Sequence, residues 1–152
     1  MSRFDRTDDR GQIGGVEVLP FGVLIFVVGS LLIANAWAVI DAKMATTSAA
    51  REATRVFVEA PGDLSVGQIE AAAIAAGREA IDAHGRDGAA AVIDIDGAFE
   101  RCAPVTVEVT YEIPAISLPF GGGFGSGFDV RGRHSEIVDP FRSGVPGEGG
   151  CD

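Results

Sequence analysis

Few residues in this chain combine type and spacing in a way that supports chemistry, and the most informative is a single acid. Glu17 stands directly before Val18–Ile40, twenty-three consecutive residues without a charge. A carboxylate at the mouth of such a run is costly in hydrocarbon and favoured at a helix N-terminus, where the macrodipole leaves partial positive charge. Its chemistry is therefore electrostatic, and the plainest reading is an interfacial acid that marks the edge of the run.

The other reactive side chains are scattered. Cys102 and Cys151 both follow the apolar run. In an oxidising compartment a disulfide between them would pin the Gly-rich C-terminal tail to the domain, and two separate thiols are equally compatible with the sequence. His84 and His134 are isolated, and no CxxC or HxxxH spacing occurs, so no metal site is expected. Asp94, Asp96 and Gly97 lack the third acidic ligand and distal Glu of a calcium loop. Gly125-Ser126-Gly127 lies in a glycine loop and not in a strand–helix elbow, and Gly121–Gly127 lacks the Lys-Ser/Thr ending of a phosphate loop. The chain reads as non-enzymatic, with no cofactor.

The elements that must position these residues begin with the apolar run. Twenty-three helical residues span about 34 Å, enough for a bilayer core of about 30 Å. Trp37 sits near the far interface, where amphipathic rings are common. Gly22, Gly29 and Ser30 thin part of the helix and permit close approach of another helix, although glycine is ordinary in such spans. No helix stop follows Ile40: Asp41–Glu59 lacks Pro and Gly, and Ala42, Ala45, Ala49, Ala53 and Val56 recur at helical spacing. One continuous helix is expected, membrane-embedded first and then an amphipathic stem ending at Pro61-Gly62. Pro20 is expected near the start of the span, where a missing N–H matters least.

Ser65 with Gln68 predicts the start of a second helix, Ile69, Ala72, Ala73, Ala76, Ala80 and Ile81 its apolar stripe, and Gly85 its end. A short strand is expected at Ala91–Ile95, with Asp94, Asp96 and Gly97 in a turn. Val105, Val107, Val109 and Tyr111 alternate with polar residues as one half-buried strand, and a third runs over Phe128–Val138. Pro114–Gly127 reads as an apolar loop whose Phe120 and Phe124, with Phe128, either cap the domain's own core or contact a partner. The fold class is thus α+β: a long N-terminal transmembrane helix extending into a stem, a second helix, and a small antiparallel sheet. Four segments follow: a disordered tail at 1–10, span and stem at 11–60, a small domain at 61–142, and a flexible Gly-rich tail at 143–152.

Three of the twelve basic residues and four of the twenty-two acidic ones precede the span, leaving nine against eighteen and a net of −9 beyond it. Such an acidic domain is repelled by nucleic acid and by anionic surfaces, which excludes nucleic-acid binding. Lys43 is the only lysine, against eleven arginines.

Arg10-Gly11-Gln12, Val16-Glu17, Leu19-Pro20, the long apolar run and Ala49-Ala50-Arg51-Glu52-Ala53-Thr54-Arg55 together resemble the TadE-like minor pilins of the bacterial tight-adherence (Flp) pilus machinery. The resemblance covers Arg10 to about Val58. It implies a pilin-like fold, a leader cut after Gly11 on the cytoplasmic side, and an assembly role for Glu17, which would neutralise the amino terminus of a neighbouring subunit. In the family pattern the acid is fifth after the cut, whereas Glu17 is sixth after Gly11, so a cut leader and a retained tail both stay open.

The resemblance implies a single-pass membrane protein, N-terminus cytoplasmic and C-terminal domain extracytoplasmic. Its partners would be membrane lipid, other pilus or pilin-like subunits, and the assembly machinery. The positive charges flanking the span are nearly balanced: Arg3, Arg6 and Arg10 before it, Lys43, Arg51 and Arg55 after. The alternative is a secreted extracytoplasmic binding domain released by signal peptidase at Ala34-Asn35-Ala36. Against it, the apolar run exceeds the roughly 7–15 residues of a signal-peptide core.

Overall fold

The structure, a computed structural model, describes residues 13–118, 122–125 and 127–151. The tail 1–10, Gly11, Phe120 and Ser126 lie outside the described residues. Helix α1 runs unbroken from Ile13 to Val58, 46 residues. It starts five residues before the uncharged run, so Pro20 falls inside it and not in its first turn. Because proline has no N–H, the carbonyl of Val16 loses its helical donor there.

Two environments divide α1. Between Val18 and Ile40 its large apolar side chains are exposed, Phe26, Ile33 and Trp37 among them. Beyond Ile40 the small residues Ala42, Ala45, Ala49, Ala50 and Ala53 are fully buried, followed by Phe57. Thr46 and Thr54 are buried with them, and their hydroxyls donate to the carbonyls of Lys43 (3.1 Å) and Ala50 (2.7 Å). A buried hydroxyl without such a partner would be destabilising.

Helix α2 spans Val66–Ala83. The side-chain oxygen of Gln68 accepts from the Ser65 backbone N–H at 3.0 Å, closing its first turn, and Gly85 at φ +72° ends it. The stripe Ile69, Ala73, Gly77, Ile81 is buried. At Gly77 the helices come close enough that a Cβ would lie 3.3 Å from that of Ala53. The thin faces of both helices allow this approach.

A short 3₁₀ turn, Gly88–Ala90, leads into three antiparallel strands. These are β1 (Val92–Asp96), β2 (Pro104–Ile113) and β5 (Phe128–Ile137), in the order β1-β2-β5. Val105, Val107, Val109 and Ile113 of β2 and Val130 of β5 face the helices. The opposite face is polar, with Thr106 and Ser135 paired across the strands at 2.8 Å. Gly132 of β5 lies against the stem backbone at Thr46 and Thr47. The core stacks along the stem in three groups. Phe57, Ile69, Phe99, Val105 and Val138 lie furthest from the apolar stretch, Ala49, Ala53, Ile81, Val107 and Val109 in the middle, and Ala42, Ile113 and Val130 nearest it.

Two expectations need correcting. Asp94 and Asp96 lie within β1, and the turn is left to Gly97 at φ +135°. The Pro114–Gly127 loop contains a second hairpin, β3 (Ile116–Leu118) paired with β4 (Gly122–Phe124). Part of the Gly-rich tail packs on the domain: Val145 is buried, and the Arg101 N–H donates to the Pro146 carbonyl at 2.9 Å.

Candidate functional site

Glu17 is the fifth residue of α1, immediately before the bare apolar stretch. A residue this early in a helix lies within the turn over which the helix dipole favours negative charge. No residue of the apolar stretch is buried, although its last turns meet the domain at Ala38 and Val39, and α1 is the one described helix long and apolar enough to cross a membrane. Gly22 and Gly29 face open space.

At the other end of that stretch the first charge is Asp41. Its carboxylate accepts from Arg86 at 2.7 Å, while the same guanidinium donates to the Ala38 carbonyl at 3.1 Å and lies 5.6 Å from the Tyr111 ring centroid. Arg86 follows the Gly85 turn, so the end of α2 is clamped to α1 where the apolar stretch meets the domain. Arg86→Gln should lower domain stability by about 1–2 kcal/mol, since a charged hydrogen bond and a stacking contact are lost together. Thermal unfolding of the full chain in detergent checks this, and an unchanged midpoint would show that the clamp is ornamental.

Further along the stem, Arg55 pairs with Glu52 (2.5 Å) and Glu59 (2.8 Å) on the exposed face. The Arg55 hydrogen bond holds the Glu52 carboxyl below the usual carboxylate range, and the Arg55 guanidinium is in turn raised. These groups are solvated, so the pairs keep the face charged and add little stability. A shallow groove beside them is lined by Lys43, Met44, Thr47, Ser48, Arg51 and His84.

Cys102 and Cys151 are joined as a disulfide with their Cα atoms 5.2 Å apart. His134 contacts Glu136 at 2.9 Å within β5, far along the chain from His84. Asp94 and Asp96 point to the polar side of β1, and no group of three or more His, Cys, Asp or Glu side chains is placed to hold a metal among the described residues. Sequence reasoning missed the Arg86–Asp41 clamp, whose partners are 45 residues apart and carry no local signal. It also missed the small hairpin beside α1. The site is therefore a surface, an apolar rod with an acid at one end and a clamped domain at the other. Comparisons with protein-family models, with curated proteins and with solved structures give no match for this chain.

Proposed function

We propose that this protein is a membrane-anchored, pilin-like structural subunit that takes part in assembling a tight-adherence type pilus or a related envelope system, without catalysis. The observation that carries the reading is α1 itself: one rigid helix, bare and apolar over Val18–Ile40, that continues without a break into a stem packed by a small α+β domain. A helix so built couples a membrane-embedded packing surface to an external domain, which is what a subunit extracted from the bilayer into an assembly requires. The orientation we favour places residues 1–10 in the cytoplasm and the domain outside, where the Cys102–Cys151 disulfide is chemically stable. Release by signal peptidase at Ala34-Asn35-Ala36 fits less well, because the helix runs through that segment and Asn35 donates to the Leu31 carbonyl at 2.8 Å.

Glu17 supplies the test. Lipid tolerates a neutral side chain at the membrane edge better than a carboxylate, so Glu17→Leu should insert at least as well as wild type. If the carboxylate neutralises a neighbouring subunit's amino terminus, the variant should nevertheless lose most co-purification of pilus components at matched membrane levels. Equal recovery of those components would remove the assembly role.

A further inference from the structure

We propose that the apolar surface of Ile113, Pro114, Ala115, Ile116 and Phe128, where β2 ends and β5 begins, is a second membrane contact, which seats the domain in the headgroup–acyl boundary beside α1. The inference rests on α1 crossing the bilayer. Ile113 to Phe128 is sixteen residues without a charge, closed by Glu112 on one side and Asp129 on the other. Those two acids face each other in the β2–β5 register, so both strands lose their charges at the same rung. The helix does the same at that level. Ile113 packs with Ala42 and Val39, which bracket Asp41, the first charge after the span. Helix and strands therefore change from charged to uncharged in one plane, and Arg86 occupies Asp41 just at that plane.

Below it, Ile113, Pro114, Ala115 and Phe128 share an apolar cleft with Leu32, Asn35, Ala36 and Val39 of α1. Counting from Val18, the twentieth residue is Trp37, and twenty helical residues cover the roughly 30 Å of a hydrocarbon core. Leu32 is five residues, about 7 Å, deeper than Trp37. Side chains that share a cleft with Leu32 and Asn35 thus reach the depth of about 5–10 Å at which interfacial elements bury their apolar faces. Phe128 and Ile116 are 43% and 39% exposed, apolar surface that water would hydrate poorly. Among the described residues the β3–β4 hairpin pairs only with itself, and backbone edges without a partner are excluded from the bilayer centre. A seat at the boundary meets both conditions. The occupant is therefore lipid, continuous with the lipid that surrounds the bare half of α1.

The full chain in phosphatidylcholine vesicles provides the test, since Trp37 is the only tryptophan. In wild type, quenching of Trp37 by shallowly brominated lipid reports whether α1 is inserted. In a Trp37→Phe background, Phe128→Trp and, separately, Ile116→Trp report the segment. The expected result is on the order of a twofold loss of fluorescence with shallow bromines, less with deep ones, and little quenching by aqueous iodide. Iodide quenching of both reporters without bromolipid quenching, while wild-type Trp37 remains lipid-quenched, overturns the proposal and leaves the surface facing water, open to a protein partner. Failure of Trp37 itself to be quenched by lipid overturns the anchor and this inference with it.

Discussion

Gly132→Ala should strip the sheet from its stem. A Cβ at this position would stand 2.3 Å from both the carbonyl carbon and oxygen of Thr46 and 2.5 Å from the Thr47 nitrogen. Those are backbone atoms of a helix, which cannot swing aside as the end of a side chain can. Overpacking typically costs about 1–3 kcal/mol, and here the cost lies at or above the top of that range because strand and helix must separate along their length. For a domain of this size that corresponds to a drop on the order of 10–20 °C in midpoint. Circular dichroism of the full chain in detergent measures it. Gly67→Ala is the control, since nothing lies within 4 Å of the added carbon, and alanine in a helix is favoured over glycine by up to about 1 kcal/mol. A Gly132→Ala melt matching wild type would mean that β5 does not sit on the stem at Thr46.

Gly132 also shows where reading the sequence stops. The bounds of α2 are legible because their signals are local: Ser65 and Gln68 are three residues apart, and Gly85 supplies its own positive φ. The alternation along Val105–Tyr111 was legible because one face of β2 is buried and the other wet. A glycine inside β5 gives no such signal, since its role is set by a helix turn more than eighty residues earlier. The β3–β4 hairpin reads as loop in the sequence because its Gly and Pro content removes the period-two pattern that marks a strand. The tail's contacts are hidden for a related reason: Gly144, Gly147, Gly149 and Gly150 carry no packing signal, yet Gly144 lies against Gly62 and Val145 joins the core group of Phe57 and Val138. Of the candidate site, the apolar run and the acid at its mouth are visible by inspection. The common plane of Asp41, Glu112 and Asp129 is not, because only folding brings those positions level.

Removing the disulfide is the second large effect. Cys102 and Cys151 are 49 residues apart, and closing a loop of that length restricts the unfolded chain by roughly 4 kcal/mol in the chain-entropy account. Part of that will persist as ordinary packing, because Arg101 still donates to the Arg142 and Gly147 carbonyls and Arg142 to the Val58 carbonyl at the end of α1. Cys102→Ser with Cys151→Ser should therefore lower stability by about 2–4 kcal/mol and raise hydrogen exchange over residues 143–151 ahead of global unfolding. One further feature sharpens the test. Cys102 has φ +65°, in the left-handed region that a side chain makes costly by about 1–2 kcal/mol. Glycine at that position would relieve the cost while still breaking the bridge. Cys102→Gly with Cys151→Ser should accordingly recover about 1 kcal/mol relative to the double-serine variant, less what glycine adds to the entropy of the unfolded chain. If the two variants melt together, the bridge and not the backbone holds Cys102 in its left-handed conformation, and the chain relaxes there once the cross-link is gone.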